Sequence, residues 1–318
     1  MSKQARRRLD DRGAFGKADA VGMREGGLPA RVAVVYGGPS PEHDVSILTG
    51  LQAVHALSGA SGVGSVRSLY WSKSGDWYEV QPGAEATHFL EGVPPQAVRL
   101  RMISGPGGGF VRPGSGLRAR DDRLEIDALL ICCHGGPGED GSLQGALDLT
   151  GLRYTGPTAS GAALGMDKLA FAALMVYAGL PALERVPLHR DSEQPGFAPP
   201  YIVKPRFGGS SIGIEVVADF ETARARVGAN PHLRRGAVLE PYHEEMYDLQ
   251  LAARSWPELQ LSAIERPLRT RAGGEILGYE DKYVGSQGMT SAPRELPAQI
   301  EPSLTERIRA LATEVASL

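Results

Sequence analysis

"CCHGGPGEDGSLQG", residues 132–145, follows the apolar run Ala128–Ile131 and gathers one His, two acids, five glycines and a proline in fourteen residues. Fold stability gives no reason for that composition, because glycine costs backbone entropy while His, Glu and Asp resist burial. A loop at the carboxyl end of a buried strand, turning polar groups toward a ligand, does account for it. "GSLQGALDLTG" (141–151) then reads as a short helix. The same order occurs upstream. "RVAVVYGG" (31–38) is an apolar strand entering a Gly turn, and "EHDVSILTGLQAVHAL" (42–57) is a helix with Ile47, Leu48, Leu51 and Val54 expected on one face. Strand, Gly loop and helix, twice over, predict an α/β domain with its ligand groups at the carboxyl ends of the strands.

Outward from these segments, "SVRSLYWSKSGDWYEV" (65–80) predicts a hairpin, and residues 91–123, rich in Gly, Pro and Arg, a variable loop region. "TASGAALGMDKLAFAALMVYAGLP" (158–181) predicts one or two helices stopped by Gly179 and Pro181. "PYIVKPRFGGSSIGIEVV" (200–217) reads as strand, loop, strand, and "FETARARV" (220–227) as a helix. "GAVLEPYHEEMYDLQLAAR", "LQLSAIERPLR" and "EILGYEDKYVG" predict further strands of a sheet. "SLTERIRALATEVASL" (303–318) is an amphipathic helix with Leu304, Ile308, Leu311, Val315 and Leu318 in one stripe.

The totals narrow the class. The 318 residues allow two or three domains; 42% hydrophobic and 22% charged residues are ordinary for a soluble globular protein. A net charge of −3 gives no overall basic footprint for nucleic acid. Arg6–Arg8 lie in a polar stretch, residues 1–30, that reads as a disordered tail without a signal-peptide core. The two cysteines, 132 and 133, are adjacent, which predicts free thiols and a reducing cytoplasm, and they lack the spacing of a metal site. No apolar run is long enough to span a bilayer.

Several segments offer chemistry. In "VKPRFGGSSIG" (203–213), Gly208 and Gly209 let backbone N–H groups turn toward an anion, Ser210 and Ser211 add hydroxyl donors, and Lys204 supplies a point charge suited to phosphate. A plain hairpin with a surface lysine fits the local pattern equally. Lys168, beside Asp167 at a helix start, is by spacing alone most simply a solvated residue. Lys282 and Tyr283, in "YEDKY", stand at the root of a small-residue loop that could close over a phosphate; an exposed strand edge guarded by Lys282 is the alternative. Glu42 suits a substrate ammonium or simply the helix dipole. Of His43 and His134, the Gly-rich, polar surroundings favour His134 as the functional one.

Together, "VAVVYGGPSPEHDVS", "HGGPGEDGSLQG", "AALGMDKLAFAALMVYAGLP", "VKPRFGGSSIG" and "YEDKYVGSQGMTSAPRELP" resemble, in order and spacing, the D-alanine–D-alanine ligase family of the ATP-grasp superfamily. The resemblance runs over about residues 31–318 and breaks only around 91–123. It implies a mixed α/β and α+β ATP-grasp fold: a tail (1–30), an N-terminal Rossmann-like substrate domain (31–156), a central subdomain (157–240) and a C-terminal subdomain (241–318) clasping ATP. It implies that Glu42 binds the ammonium of a first D-alanine beside Val45, with His134, Ser210 and Tyr283 around that substrate and Glu139 shaping the His134 loop. Lys168, Lys204 and Lys282 would hold the ATP phosphates with Ser211, Glu240 would meet the adenine amino group, and Asp248, matched only across one inserted residue, would reach the ribose. The implied product is a D-alanyl dipeptide for peptidoglycan, made in the cytoplasm, with a homodimer usual in the family.

The resemblance also implies Mg²⁺, held by acids and an Asn on strands beyond the last helix. That motif has no counterpart before Leu318, so no residue of this chain is assigned as a metal ligand, and weak ATP binding with little turnover is expected. A sister ATP-grasp ligase for another amino acid, suggested by Phe207 and Gly208, and an inactive nucleotide- or amino-acid-binding remnant are the alternatives.

Overall fold

The computed structural model describes residues 30–116, 120–255, 257–268 and 293–318. Strand β1 (Arg31–Gly37) is buried along nearly its whole length and leads through a Gly turn into helix α1 (His43–Ser58). Side chains alternate across β1: Ala33 and Val35 enter one core, Val34 and Tyr36 another. That two-sided burial is why the strand reads as an unbroken apolar run. On α1 the buried stripe is His43, Ile47, Gly50 and Val54. Leu48, expected on the apolar face, is instead exposed. The four-residue and three-residue steps from 43 select the stripe that packs on Tyr36, and Gly50 belongs to it because a Cβ there would enter the Tyr36 ring.

Strands β2 (Ser65–Trp71) and β3 (Trp77–Val80) form the expected hairpin. Residues 91–123 differ from the loop expectation: β4 (Val98–Ile103), β5 (Gly109–Arg112) and β6 (Asp122–Arg123) extend the sheet antiparallel. The arginines that give this stretch its loop-like composition are the outer row of a strand. Arg99 pairs with Asp76 at 2.7 Å and Arg101 with Asp121 at 2.5 Å, while Leu100 between them is buried. Strand β7 (Ala128–Ile131) returns to pair parallel with β1 on the side opposite β2. The order is β6-β5-β4-β3-β2-β1-β7, so the chain switches direction across the sheet between β1 and β7. The carboxyl ends of those two strands flank the crevice where open α/β sheets place ligands.

Helix α2 (Ser142–Asp148) covers the second face with Leu143 and Leu147. Helices α3 (Ala159–Met166) and α4 (Lys168–Tyr177) bend by 97° at Asp167, which ends one and caps the other. No single helix among the described residues is long and apolar enough to cross a membrane.

A second sheet is built from β8 (Val186–Leu188), β9 (Tyr201–Pro205) and β10 (Glu215–Val217), with α5 (Phe220–Ala229) packed on it and β11 (Ala237–Pro241) in the middle, in the order β10-β9-β11-β8. Tyr201, Val203 and Leu239 share the face under α5, where Asp219 caps the helix by accepting from Thr222 N–H. The alternate residues Lys204 and Glu240 therefore share the opposite face. Among the described residues the remaining strands form two short pairs: β12 (Ala253–Arg254) with β13 (Gln260–Leu261), and β14 (Arg266–Pro267) with β15 (Arg294–Glu295). The last helix, α6 (Pro302–Ala316), has its expected stripe half-buried at Leu304, Ile308, Leu311 and Val315; Leu318, just past it, is exposed. The tail and the strand expected at 275–285 lie outside the described residues.

Candidate active site

The Gly loops after β1 and β7 meet. Ser40 Oγ donates to the His134 carbonyl at 2.8 Å and accepts from Glu42 N–H at 3.0 Å. Ser46, fully buried on α1, ties the strand ends together: it accepts from Gly37 N–H at 2.7 Å and donates to the Cys132 carbonyl at 2.9 Å. Thr49, one position short of a turn further on, contacts His134 Nε2 at 2.9 Å. The other ring nitrogen of His134 lies 3.8 Å from Glu139, whose second oxygen accepts from Gly135 N–H at 2.6 Å. Burial alone would raise the Glu139 carboxyl; His134 and the Gly135 N–H together hold it below its ordinary value. Gly135 has φ +64°, and a Cβ there would strike the Glu42 carboxylate, so this position of the loop belongs to glycine.

Glu42, 6% exposed, precedes α1, and Val45 is buried one turn on. Its carboxylate accepts a short hydrogen bond from Ser210 Oγ, in the loop between β9 and β10. Two regions 168 residues apart in sequence thus close on one carboxylate. Beside it lies a cavity of about 150 Å³ lined by Glu42, Gly136, Asp140, Met166, Gly208 and Arg235 among others. That is smaller than the ~300–1,000 Å³ of ordinary ligand pockets and suits a very small molecule. Ser210 and Ser211 both hold left-handed backbone, with φ 51° and 58°.

The Ser210 loop is pinned to the bend between α3 and α4. Arg206 pairs with Asp167 at 2.5 Å and its carbonyl accepts from Lys168 N–H at 3.2 Å. The Arg206 guanidinium holds the Asp167 carboxyl below its usual range. Lys168 Nζ donates to the Gly208 carbonyl at 2.7 Å. Burial, and then the charges of Lys204 and Arg185, push Lys168 down to about 8. Lys204 pairs with Glu240 at 2.7 Å, and Arg185 binds the other Glu240 oxygen at 2.5 Å. Glu240 is fully buried, with one oxygen engaged by each of these cations. Three cations face one carboxylate here, an excess of positive charge at the start of a helix, which is an arrangement suited to phosphate.

The sequence-predicted residues thus fall in two groups. Glu42, Val45, His134, Glu139 and Ser210 lie together at the crevice; Lys168, Lys204 and Glu240 gather beside it, with Ser211 in the joining loop. Asp248 lies on an exposed segment outside any strand. Lys282 and Tyr283 lie outside the described residues. Cys132 and Cys133 are free and buried; burial raises the Cys132 thiol to about 11 and the Cys133 thiol further, so neither is a thiolate at neutral pH. Among the described residues there is no group of three or more His, Cys, Asp or Glu side chains placed to hold a metal ion. Sequence reasoning missed Ser40, Ser46, Thr49 and Arg185. For Ser46 and Thr49 a signal existed, two hydroxyls three apart on the helix that follows the first Gly loop.

Comparison with known proteins bears on this geometry. Residues 31–157 match the family model described as D-ala D-ala ligase N-terminus, and residues 177–318 the one described as D-ala D-ala ligase C-terminus. The D-alanine–D-alanine ligase of Synechococcus sp. (strain CC9311) is 31% identical over 300 residues, covering 87% of this chain and 79% of that protein. The chain belongs to the D-alanine–D-alanine ligase family. Another member, from Bradyrhizobium sp. (strain ORS 278), is 29% identical over 294 residues, covering 90% of this chain and 78% of its own. The crystal structure of the Helicobacter pylori D-alanine–D-alanine ligase superposes with a TM-score of 0.68 at 18% identity, over 90% of this chain and 82% of that one. The VanG D-Ala:D-Ser ligase of Enterococcus faecalis gives 0.69 at 22% identity, over 91% and 82%. The fold of this family member is accordingly the ATP-grasp fold of those ligases.

Proposed function

We propose that this protein joins two D-alanines at the expense of ATP. The observation that carries the reading is the Glu42–Ser210 hydrogen bond, which couples the crevice of the first sheet to the lysine-bearing loop of the second. A carboxylate is a poor electrophile. In the proposed reaction, one oxygen of the first D-alanine's carboxylate attacks the γ-phosphorus of ATP; the bond to the β-phosphate oxygen breaks and ADP leaves. The amine of the second D-alanine, having lost a proton, attacks the acyl carbon, and inorganic phosphate leaves with the dipeptide bond formed.

The residues support distinct parts of this. Glu42 takes the ammonium of the first D-alanine, Ser210 orients it, Val45 packs beside it, and His134, steadied by Thr49 and Glu139, forms the polar wall opposite. Lys168 and Lys204 attract the transferring phosphoryl group, where fixed cations act on charge that gathers in the transition state. The Gly208–Ser211 backbone and the Ser211 hydroxyl add donors. Glu240 holds Lys204 in place and accepts from the adenine amino group. Asp248 at the ribose, Lys282 at the ATP phosphates and Tyr283 beside the first D-alanine complete the reading. With it go peptidoglycan precursor synthesis, a cytoplasmic location and a homodimer. Mg²⁺ belongs to the same reading.

The test is ATP-dependent phosphate release against a panel of D- and L-amino acids, with calorimetric binding of D-alanine and of ATP alongside. Release with D-alanine is expected. Release with a different amino acid alone reassigns the substrate, and failure to bind either D-alanine or ATP overturns the reading.

A further inference from the structure

Arg185 occupies the residue just before β8, outside every motif that marks the site. The register of β8 on β11, with Val186 against Leu239, brings it beside Glu240. Its guanidinium does two things at once. Nε binds Glu240 Oε1 at 2.5 Å, and Nη1 donates to the Lys168 carbonyl at 2.5 Å. The side chain is mostly buried, and Glu240, which it meets, is wholly so. One planar fork therefore joins the middle strand of the second sheet to the first residue of α4. Lys204 leaves that strand pair's common face and Lys168 leaves that helix start, so Arg185 spans the supports of both lysines.

We propose that Arg185 is a positioning residue of the nucleotide site, fixing Glu240 and the start of α4 so that Lys168 and Lys204 project toward one polyphosphate. The inference rests on the nucleotide reading given above. A lysine at 185 would keep the charge but not the fork, because one ammonium cannot match two acceptors held in fixed directions. Geometry is thus separable from charge. Among the described residues the charged groups facing Lys168 are Lys204 from β9, Arg185 before β8, Glu240 from β11 and Asp167 at its own helix start, the last of these engaged by Arg206. Removing the Arg185 charge leaves Lys204 as the remaining cation opposing Lys168, so the ammonium becomes easier to keep protonated.

The experiment compares wild type, R185Q and R185K. It measures ATP and D-alanine affinity by calorimetry, thermal unfolding, and the pH dependence of Lys168 acylation by acetic anhydride, followed by peptide mass spectrometry. In R185Q, ATP affinity is expected to fall about tenfold or more with the loss of charge-assisted bonds, while D-alanine affinity holds. Its Lys168 reactivity midpoint, near 8 in the wild type, is expected to move to higher pH. In R185K the midpoint is expected to stay while ATP affinity still falls. Unchanged ATP affinity in the folded variants overturns the proposal, as does an equal loss for ATP and D-alanine with the Lys168 midpoint unmoved, which marks a merely structural arginine. If R185Q does not fold, R185K decides alone through its ATP affinity. A wild type that takes up no ATP overturns the nucleotide reading and this inference with it; a wild type that binds ATP as tightly as both variants overturns this inference only.

Discussion

Two buried carboxylates, Glu42 and Glu240, are treated in opposite ways. Glu42 is met by a neutral hydroxyl from Ser210, and the loops around it are laced by Ser40, Ser46 and Thr49. Glu240 is met by two full positive charges, Lys204 and Arg185. Neutral donors leave the charge of Glu42 uncancelled and ready for an ammonium. Around Glu240 the carboxylate is cancelled and positive charge remains over, ready for phosphate. Burial is common to both sites; the choice of partner decides which ligand charge each one seeks.

The contrast can be broken hardest at Glu240. Replacing it with Leu leaves Lys204 and Arg185 without their counter-charge, and a loss of about 3–5 kcal/mol is expected in urea unfolding. A change below 1 kcal/mol would mean that the cations relax into water and the site is not a closed ion cluster. At Glu42 the effect falls on binding. Glu42→Gln should weaken D-alanine by about a hundredfold, the loss of one charge-assisted contact in a desolvated pocket, with ATP affinity within about twofold of wild type. Calorimetry with the two ligands separates these outcomes, and a parallel loss for both would erase the division of labour.

Acidity separates the two regions further. The unfolded chain keeps Lys168 protonated up to about 10.4, whereas in the fold it titrates near 8. Below that lower pH the fold carries the full burden of a desolvated ammonium. Between the two values the unfolded chain holds more protons, so this residue makes stability rise with pH across that window. ATP affinity should fall across the same window, because the cation that attracts phosphate is being lost. Denaturant titrations and ATP calorimetry from pH 7 to 10 should therefore slope in opposite directions, and Lys168→Met should flatten both slopes. The smallest effect belongs to the link between the regions. Asp140 and Arg235 lie 3.5 Å apart with the arginine largely exposed, so Asp140→Asn should cost under about 1 kcal/mol.

How far these regions could be read from sequence follows the same physical division. Glycine betrayed the loops at 37–38 and 135–141, because few other residues tolerate their backbone or the close approach to Glu42. The apolar runs of β1 and β9 were legible because both faces of each strand are covered. Strands β4 to β6 were not, since arginines on the solvent row of β4 imitate loop composition and the buried or half-buried residues come in short runs, Leu100 and Met102 in β4 and Phe110 and Val111 in β5. On α1 the period was right and the phase was wrong: Leu48 and Ile47 are equally apolar, and only packing against Tyr36 distinguishes them. The Arg185–Glu240 pair was invisible because it joins residues 55 apart through a strand register. Lysines beside glycines suggested a ligand; the carboxylate that restrains them lay in a strand with nothing polar around it.

The backbone of Ser210 and Ser211 carries a lasting consequence. Left-handed geometry disfavours any residue with a Cβ by roughly 1–2 kcal/mol, and glycine would occupy both positions without that penalty. A chain shaped only for ease of folding would have continued the run begun by Gly208 and Gly209. It keeps instead two side chains where the backbone least welcomes them, so the hydroxyl that reaches Glu42 is delivered under tension, and relaxing that turn would gain foldability only by giving up the bond between this loop and Glu42.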